Sequence, residues 1–194
     1  MTKDNALKIL EEFGNSPNMV KHALACGFVM RALYEHLSSR PSVPSVSSEP
    51  RDPSDWEIVG LLHDADYEST NKSLDLHTEE TTKKLKEIGA DQTVIDAIRG
   101  HCDKAPRDTL MAKAIYAADE LTGLIVACAL VQPDKKLKSV SVWSVLKKFK
   151  DKSFARGASR DQIKTCETEL NIPLEEFVSI TLKSMQEKAG ELGL

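Results

Sequence analysis

Residues 56–68 read WEIVGLLHDADYE, and this stretch decides the fold. From Trp56 to Leu62 the side chains are apolar apart from Glu57. An amphipathic surface helix would show polar residues on one face, so a helix over Trp56–Ala65 must be buried on most sides. Nowhere in the chain does period-2 alternation persist, so no sheet of consequence is expected. The apolar run ends in His63-Asp64, an imidazole and a carboxylate where the chain should lie deepest in a core.

Working outward, helical periodicity recurs on both sides. Asn5–Phe13 forms a short amphipathic helix, and a longer one starts at Pro17 behind the cap Ser16 and runs to about Leu37. Residues 38–54 are rich in serine and proline, with valine as their one apolar type. That composition cannot pack a core and predicts a flexible surface insertion. Further helices are expected over about 76–88, 91–102, 107–131, 141–150, 159–169 and 173–191. The expectation is an all-α bundle of about eight helices in a single domain, residues 1–194, with a C-terminal helical extension from about 134.

Several of these helices carry a polar residue on the apolar stripe. His22 shares a face with Met19, Cys26, Val29 and Leu33, and His77 leads a stripe through Thr81, Leu85 and Ile88. His101 closes one through Val94 and Ile98, while Asp119 lies between Ile115, Thr122 and Val126. Taken singly, a histidine on such a face is usually a core or cap residue bonded to backbone. Together with His63 and Asp64, six titratable side chains point at one interior. Burying them unpaired would cost roughly several kcal/mol each. A divalent cation resolves the conflict, because it neutralises the carboxylates and ligates neutral imidazoles. Mixed His and Asp donors suit Mn, Fe, Co, Ni or Zn, with Mg also admissible, better than calcium and its all-oxygen shells. His36 reads as a surface residue and Cys102 as a packed thiol.

Composition narrows the functional classes. The 194 residues are 41% hydrophobic, 29% charged and only 5% aromatic, which leaves little material for base stacking on aromatic platforms. Net charge is −4, yet between Lys135 and Arg160 nine Lys or Arg face one acid, Asp151. An acidic chain with a local basic patch argues against bulk nucleic-acid binding and for attraction of a small anion. Four cysteines occur without a CxxC pair, the N-terminal stretch has no apolar signal core, and the most apolar run, Leu121–Val131, is too short for a bilayer. A cytoplasmic protein without membrane contact is expected.

The order His22, His63-Asp64, Asp119 resembles the HD superfamily of metal-dependent phosphohydrolases. The likeness extends through HTEETTKKL (77–85), IRGHCD (98–103), AIYAADELTGLIVACALV (114–131) and DKKLKSVSVWSVLKKFKDKSFARGASRDQIKTCE (134–167). It is similar to one branch of small HD hydrolases along almost the whole chain outside the Ser/Pro insertion. The resemblance implies that His22, His63, Asp64 and Asp119 hold a first metal. It also implies that His77 and His101 hold a second, with Asp64 as the bridge. Two departures matter: Tyr67 stands where many members place a phosphate-contacting lysine, and His101-Cys102-Asp103 replaces the Gly-Tyr-Pro motif of the cyclic-dinucleotide branch.

The function implied is hydrolysis of a phosphate monoester or diester, on a small nucleotide or related phosphate, by metal-activated water. Asp64 would orient that water, and Asp66 would act as general acid or hold the nucleophile. Arg156 and Lys150, in the basic stretch, are the candidates for gripping substrate phosphate. Two competing readings are a non-catalytic metal- or ligand-binding HD module and a di-iron oxygenase. An apolar face over Ile172–Met185 is available on paper for a homodimer.

Overall fold

The computed structural model describes residues 1–40 and 52–194; most of the Ser/Pro insertion, residues 41–51, lies outside them. Among the described residues there are ten α-helices and no strand, as the sequence pattern requires.

Helix α1 (Lys3–Glu12) begins at a capping box in which Thr2 and Asn5 satisfy each other's backbone. Helix α2 (Pro17–Ser38) starts on Ser16, whose hydroxyl accepts from Met19 N, with Pro17 in the first turn. Helix α3 (Pro53–Leu62) is capped by Asp52, so the last residues assigned to the insertion belong to a helix start. All its residues from Trp56 to Leu62 are buried. Ile58, Leu61 and Leu62 are at most 1% exposed, each contributing about 1.5–3 kcal/mol by burial.

Helices α2 and α3 make the most extensive contact in the molecule, and glycine permits it. A Cβ built on Gly60 would lie 2.5 Å from the carbonyl carbon and oxygen of Cys26 and 2.6 Å from Gly27 N. Only a residue without a side chain lets the two backbones approach this closely.

Helices α4 (Glu79–Glu87) and α5 (Gln92–Gly100) follow, then the long α6 (Leu110–Leu130), packed on α2, α3 and α5. After a 3-10 turn at Leu137–Ser139 come α7 (Val142–Lys150), α8 (Arg160–Glu169), α9 (Leu174–Glu187) and the short α10 (Ala189–Leu192). This C-terminal part shares the core: α8 lies on α6, α9 on α2, and Val145, Ile163, Phe177 and Met185 are fully buried. The apolar face over Ile172–Met185 is therefore consumed within the chain, against α2, α6 and α7, and is not available to a second copy. The solvated side of α7 carries Lys147 and Lys150, as its amphipathic pattern predicts, while Lys148 sits over the Phe154 ring. His36 is half-buried beside Glu176 of α9, with 3.5 Å between Nε2 and Oε1.

Candidate metal centre

At the end of α3, His63 closes the helix with its backbone N–H on Val59 O at 3.0 Å. Its ring Nδ1 lies 2.8 Å from Gly60 O, and a carbonyl can only accept, so Nδ1 carries the proton. Nε2 is left to face inward as the nitrogen that can give up a proton and offer its lone pair to a metal. The same device orients His101, the C-cap of α5, whose Nδ1 donates to Ile98 O at 2.5 Å. His77 is fixed by a carboxylate instead, with Nδ1 3.1 Å from Asp66 Oδ1.

The inward atoms fall into two groups. In the first, His22 Nε2 lies 3.2 Å from His63 Nε2 and 3.1 Å from Asp119 Oδ1, and Asp119 Oδ1 is 3.5 Å from His63 Nε2. In the second, His77 Nε2 and His101 Nε2 are 3.0 Å apart. Asp64 lies between them. Its Oδ2 is 3.6 Å from His63 Nε2 and 3.8 Å from His22 Nε2, while its Oδ1 is 3.2 Å from both His77 Nε2 and His101 Nε2. Imidazole lone pairs converging at such distances repel unless a cation or protons lie among them, so this donor set fits a divalent metal in each group.

The charge state follows the same logic. Burial disfavours a charged His63, but Asp64 above all, with Cys26 and Asp119, outweighs it and holds the imidazole up at about 10. His22 is likewise raised, burial again opposing and Cys26 and Asp119 prevailing. Burial would raise Asp64 and Asp119, yet the surrounding histidines hold both carboxyls well below the usual carboxylate range.

The six residues singled out in the sequence thus meet in one place, although one of them, His77, arrives differently from expectation. His77 does not lead a helical stripe: α4 starts at Glu79, and Thr78 ahead of it has a left-handed backbone with φ 67°. Ile88, expected on that stripe, is 49% exposed. His77 is instead carried by a turn that Lys104 ties down, donating to His77 O and Asp75 O at 2.6 Å each.

Asp66 is placed differently from its assignment as a general acid. It is fully buried; Oδ1 accepts from Thr78 N at 2.8 Å as well as from His77, and Oδ2 accepts from Thr81 N at 3.0 Å. Both oxygens are engaged by the start of α4 and by His77, and the side chain is closed off from solvent. Although burial pulls the other way, those bonds hold its carboxyl below the ordinary value, in the ionised form.

Two sulfurs adjoin the groups. Cys26 Sγ is 3.8 Å from His22 Nε2, and one donor atom each from His22, Cys26, His63 and Asp119 lie within 4.8 Å of one another. His77, His101 and Cys102 form a second such set, so Cys102, read as a packed thiol, sits close enough to join it. Spacing alone gave no sign of Cys26, which shares the His22 stripe with ordinary core residues.

A cleft of about 280 Å³ opens beside His22 and Asp119, walled by Glu120, Gly123, Ala155, Gly157 and Ala158. The 155–158 wall is fastened at two points. Ser159 N donates to Glu120 Oε2 at 2.9 Å. Arg160 donates to the carbonyls of Lys148, Phe149, Asp151, Phe154, Ala155 and Ala158 at 2.6–3.4 Å. Arg156, exposed between the lining residues Ala155 and Gly157, does not itself line the cleft, and neither does Lys150, exposed at the end of α7.

Helices alone, with imidazoles and carboxylates turned inward from α2, the end of α3, α5 and α6, define a class of metal-binding α-bundle. An HD-domain family model matches residues 19–124, more than half of the chain and a span that includes all six inward residues. The chain belongs to the HD-domain family. No curated protein and no solved structure matches it.

Proposed function

We propose that this protein is a metal-dependent phosphohydrolase acting on a small phosphorylated molecule such as a nucleotide, through a binuclear centre. Asp64 supports this reading most directly, since each of its two oxygens faces a separate group of imidazoles. In it, His22, His63, Asp64 and Asp119 hold one transition metal, and His77, His101 and the other Asp64 oxygen hold the second. Divalent metals there would supply an activated water and neutralise charge on the phosphoryl group.

The chain's own residues do the rest. Gly60 O and Ile98 O fix the tautomers of His63 and His101, and Asp66 acts as the positioning residue that fixes His77. Asp66 is thereby relieved of the general-acid role. The wall at 155–158 narrows access to the centre, and the exposed Arg156 beside it is the guanidinium we assign to substrate phosphate. Four free cysteines suit a reducing cytosol, and no described helix is long and apolar enough to cross a membrane.

The test is elemental analysis of purified wild type beside His63→Ala and Asp64→Ala, with phosphate release assayed on the same samples. The expected result is about two transition metals per chain in wild type, lost with activity in both variants. Wild type that binds none of Mn, Fe, Co, Ni or Zn on titration, or an Asp64→Ala protein that keeps metal and activity, would overturn the proposal. Dioxygen-dependent turnover of an iron-loaded sample, without phosphate release, would replace it with the oxygenase reading.

A further inference from the structure

Gly123 stands in the interior of α6, where glycine is the poorest helix former after proline. Two ordinary reasons for a helical glycine are absent. Its backbone is not among those with positive φ, and a Cβ built on it meets nothing within 4 Å. Gly60, with backbone 2.5 Å from its would-be Cβ, is the opposite case.

Gly123 is common to two hollows. It lines the 280 Å³ cleft beside His22 and Asp119, and with His22 it also lines a second hollow of about 480 Å³. That second hollow runs along the outer seam of α2 and α6 and is walled by Ala25, Val126, Leu130, Leu192 and Leu194. On α6 the residues Asp119, Gly123, Val126 and Leu130 follow at i, i+4, i+7 and i+11, one continuous stripe from the metal-ligand candidates to the apolar end. Polar groups enter the hollow only from Asn18, Lys21 and His22 of α2, besides the backbone near its C-terminal wall. Apart from the His22 imidazole no aromatic ring lines it, so a nucleobase would find neither a stacking platform nor partners for most of its edges.

We propose that this hollow receives the apolar group of the substrate, that the substrate class is a phosphate monoester of an aliphatic alcohol, and that Gly123 determines specificity by keeping the passage to the metal centre open. The proposal rests on the hydrolase reading and sharpens it, replacing a nucleoside by an aliphatic chain as the group attached to the phosphate. The volume is within the range that small-ligand pockets occupy, about 300–1,000 Å³.

The test uses the full chain loaded with Mn and the series ethyl, butyl and hexyl phosphate, with AMP alongside. Full burial of a methylene is worth about fourfold in binding. Since the hollow is open on one side, kcat/KM is expected to rise by at least about tenfold from ethyl to hexyl phosphate, with hexyl phosphate ahead of AMP. Gly123→Leu fills the open space over position 123 and should flatten the gradient. Gly123→Ala guards against misfolding: its Cβ has open space, so its Tm should rise by about 2–4 °C while its chain-length gradient weakens. Calorimetric titration of the Mn-loaded protein with hexylphosphonate gives a readout independent of turnover, with binding expected in wild type and lost in Gly123→Leu.

Turnover without a chain-length gradient, or with AMP preferred, overturns the assignment of the hollow and leaves the hydrolase standing. Hexylphosphonate binding that Gly123→Leu abolishes, in a protein that hydrolyses no ester, supports the hollow and removes the hydrolase. Neither binding nor turnover removes both.

Discussion

Replacing Gly60 by alanine tests the element that brings His22 and His63 together. The new Cβ would sit 2.5 Å from two backbone atoms of Cys26 and 2.6 Å from Gly27 N. Carbon contacts are comfortable at about 3.5–4.0 Å, so α2 and α3 must separate by roughly 1 Å, and no rotamer can relieve a clash with backbone. Overpacking of this kind costs about 1–3 kcal/mol or more, against about 1 kcal/mol gained from better helix propensity. Because three backbone atoms are struck at once, the upper part of that range applies, and a net loss of about 2 kcal/mol follows. For a chain of this size it lowers Tm by about 4–8 °C. The same shift separates His22 Nε2 from His63 Nε2, now 3.2 Å apart. Metal affinity should fall at least about tenfold, as when other supports of a metal ligand are removed. Circular-dichroism melts of the metal-free protein and a metal titration read the two effects. A Gly60→Ala protein that melts at or above wild type and binds metal equally well would refute the close-approach argument.

Asp66→Ala leaves His77 Nδ1 and the amides of Thr78 and Thr81 without their acceptor, and uncaps α4. The expected loss is about 2–4 kcal/mol, with the second metal weakened more than the first; stoichiometry that drops at the first site instead would contradict it. Metal loading must also expel protons, because His63 is held up at about 10 from an ordinary 6.5. Its apparent affinity should rise with pH up to about 10, and calorimetry in buffers of differing ionisation enthalpy should detect about one proton or more released near pH 7. The sign for the metal-free fold is that of a raised group. The stabilisation from charged His63 is complete below about 6.5 and is lost as pH climbs through about 10, which melts across that range will show.

The core and the inward set were legible because both depend on helical periodicity, which α2, α3, α5 and α6 keep over several turns. His22 and Asp119 sit on their stripes as the spacing requires, and His63 follows a run that could only be buried. What escaped depends on contacts between distant segments. The start of α4 was misplaced because its cap comes from Asp66, 12 residues ahead of Thr78, and no local signal announces it. The same contact explains the misassignment of Asp66: an acid just after His63-Asp64 looks free until its three donors are known. The face over Ile172–Met185 looked available because a sequence shows amphipathicity but not what covers it. Nor could spacing show that Ala155, Gly157 and Ala158 reach the centre, since Arg160, not an apolar pattern, sets their course.

That course has a consequence for how the protein can change over time. Arg160 holds the stretch by its carbonyls, which every residue type possesses, and it does so from α8, outside the stretch itself. The exposed side chains of Lys152 and Arg156 are thereby released from determining the path of their own backbone, while Phe154, Ala155 and Ala158 stay packed on the core. Substitutions at those two positions can change the charge beside the centre, from basic to neutral or acidic, without redrawing the outline of the wall. Selection for a new substrate would find its raw material there, while the cluster of histidines and aspartates stays as it is.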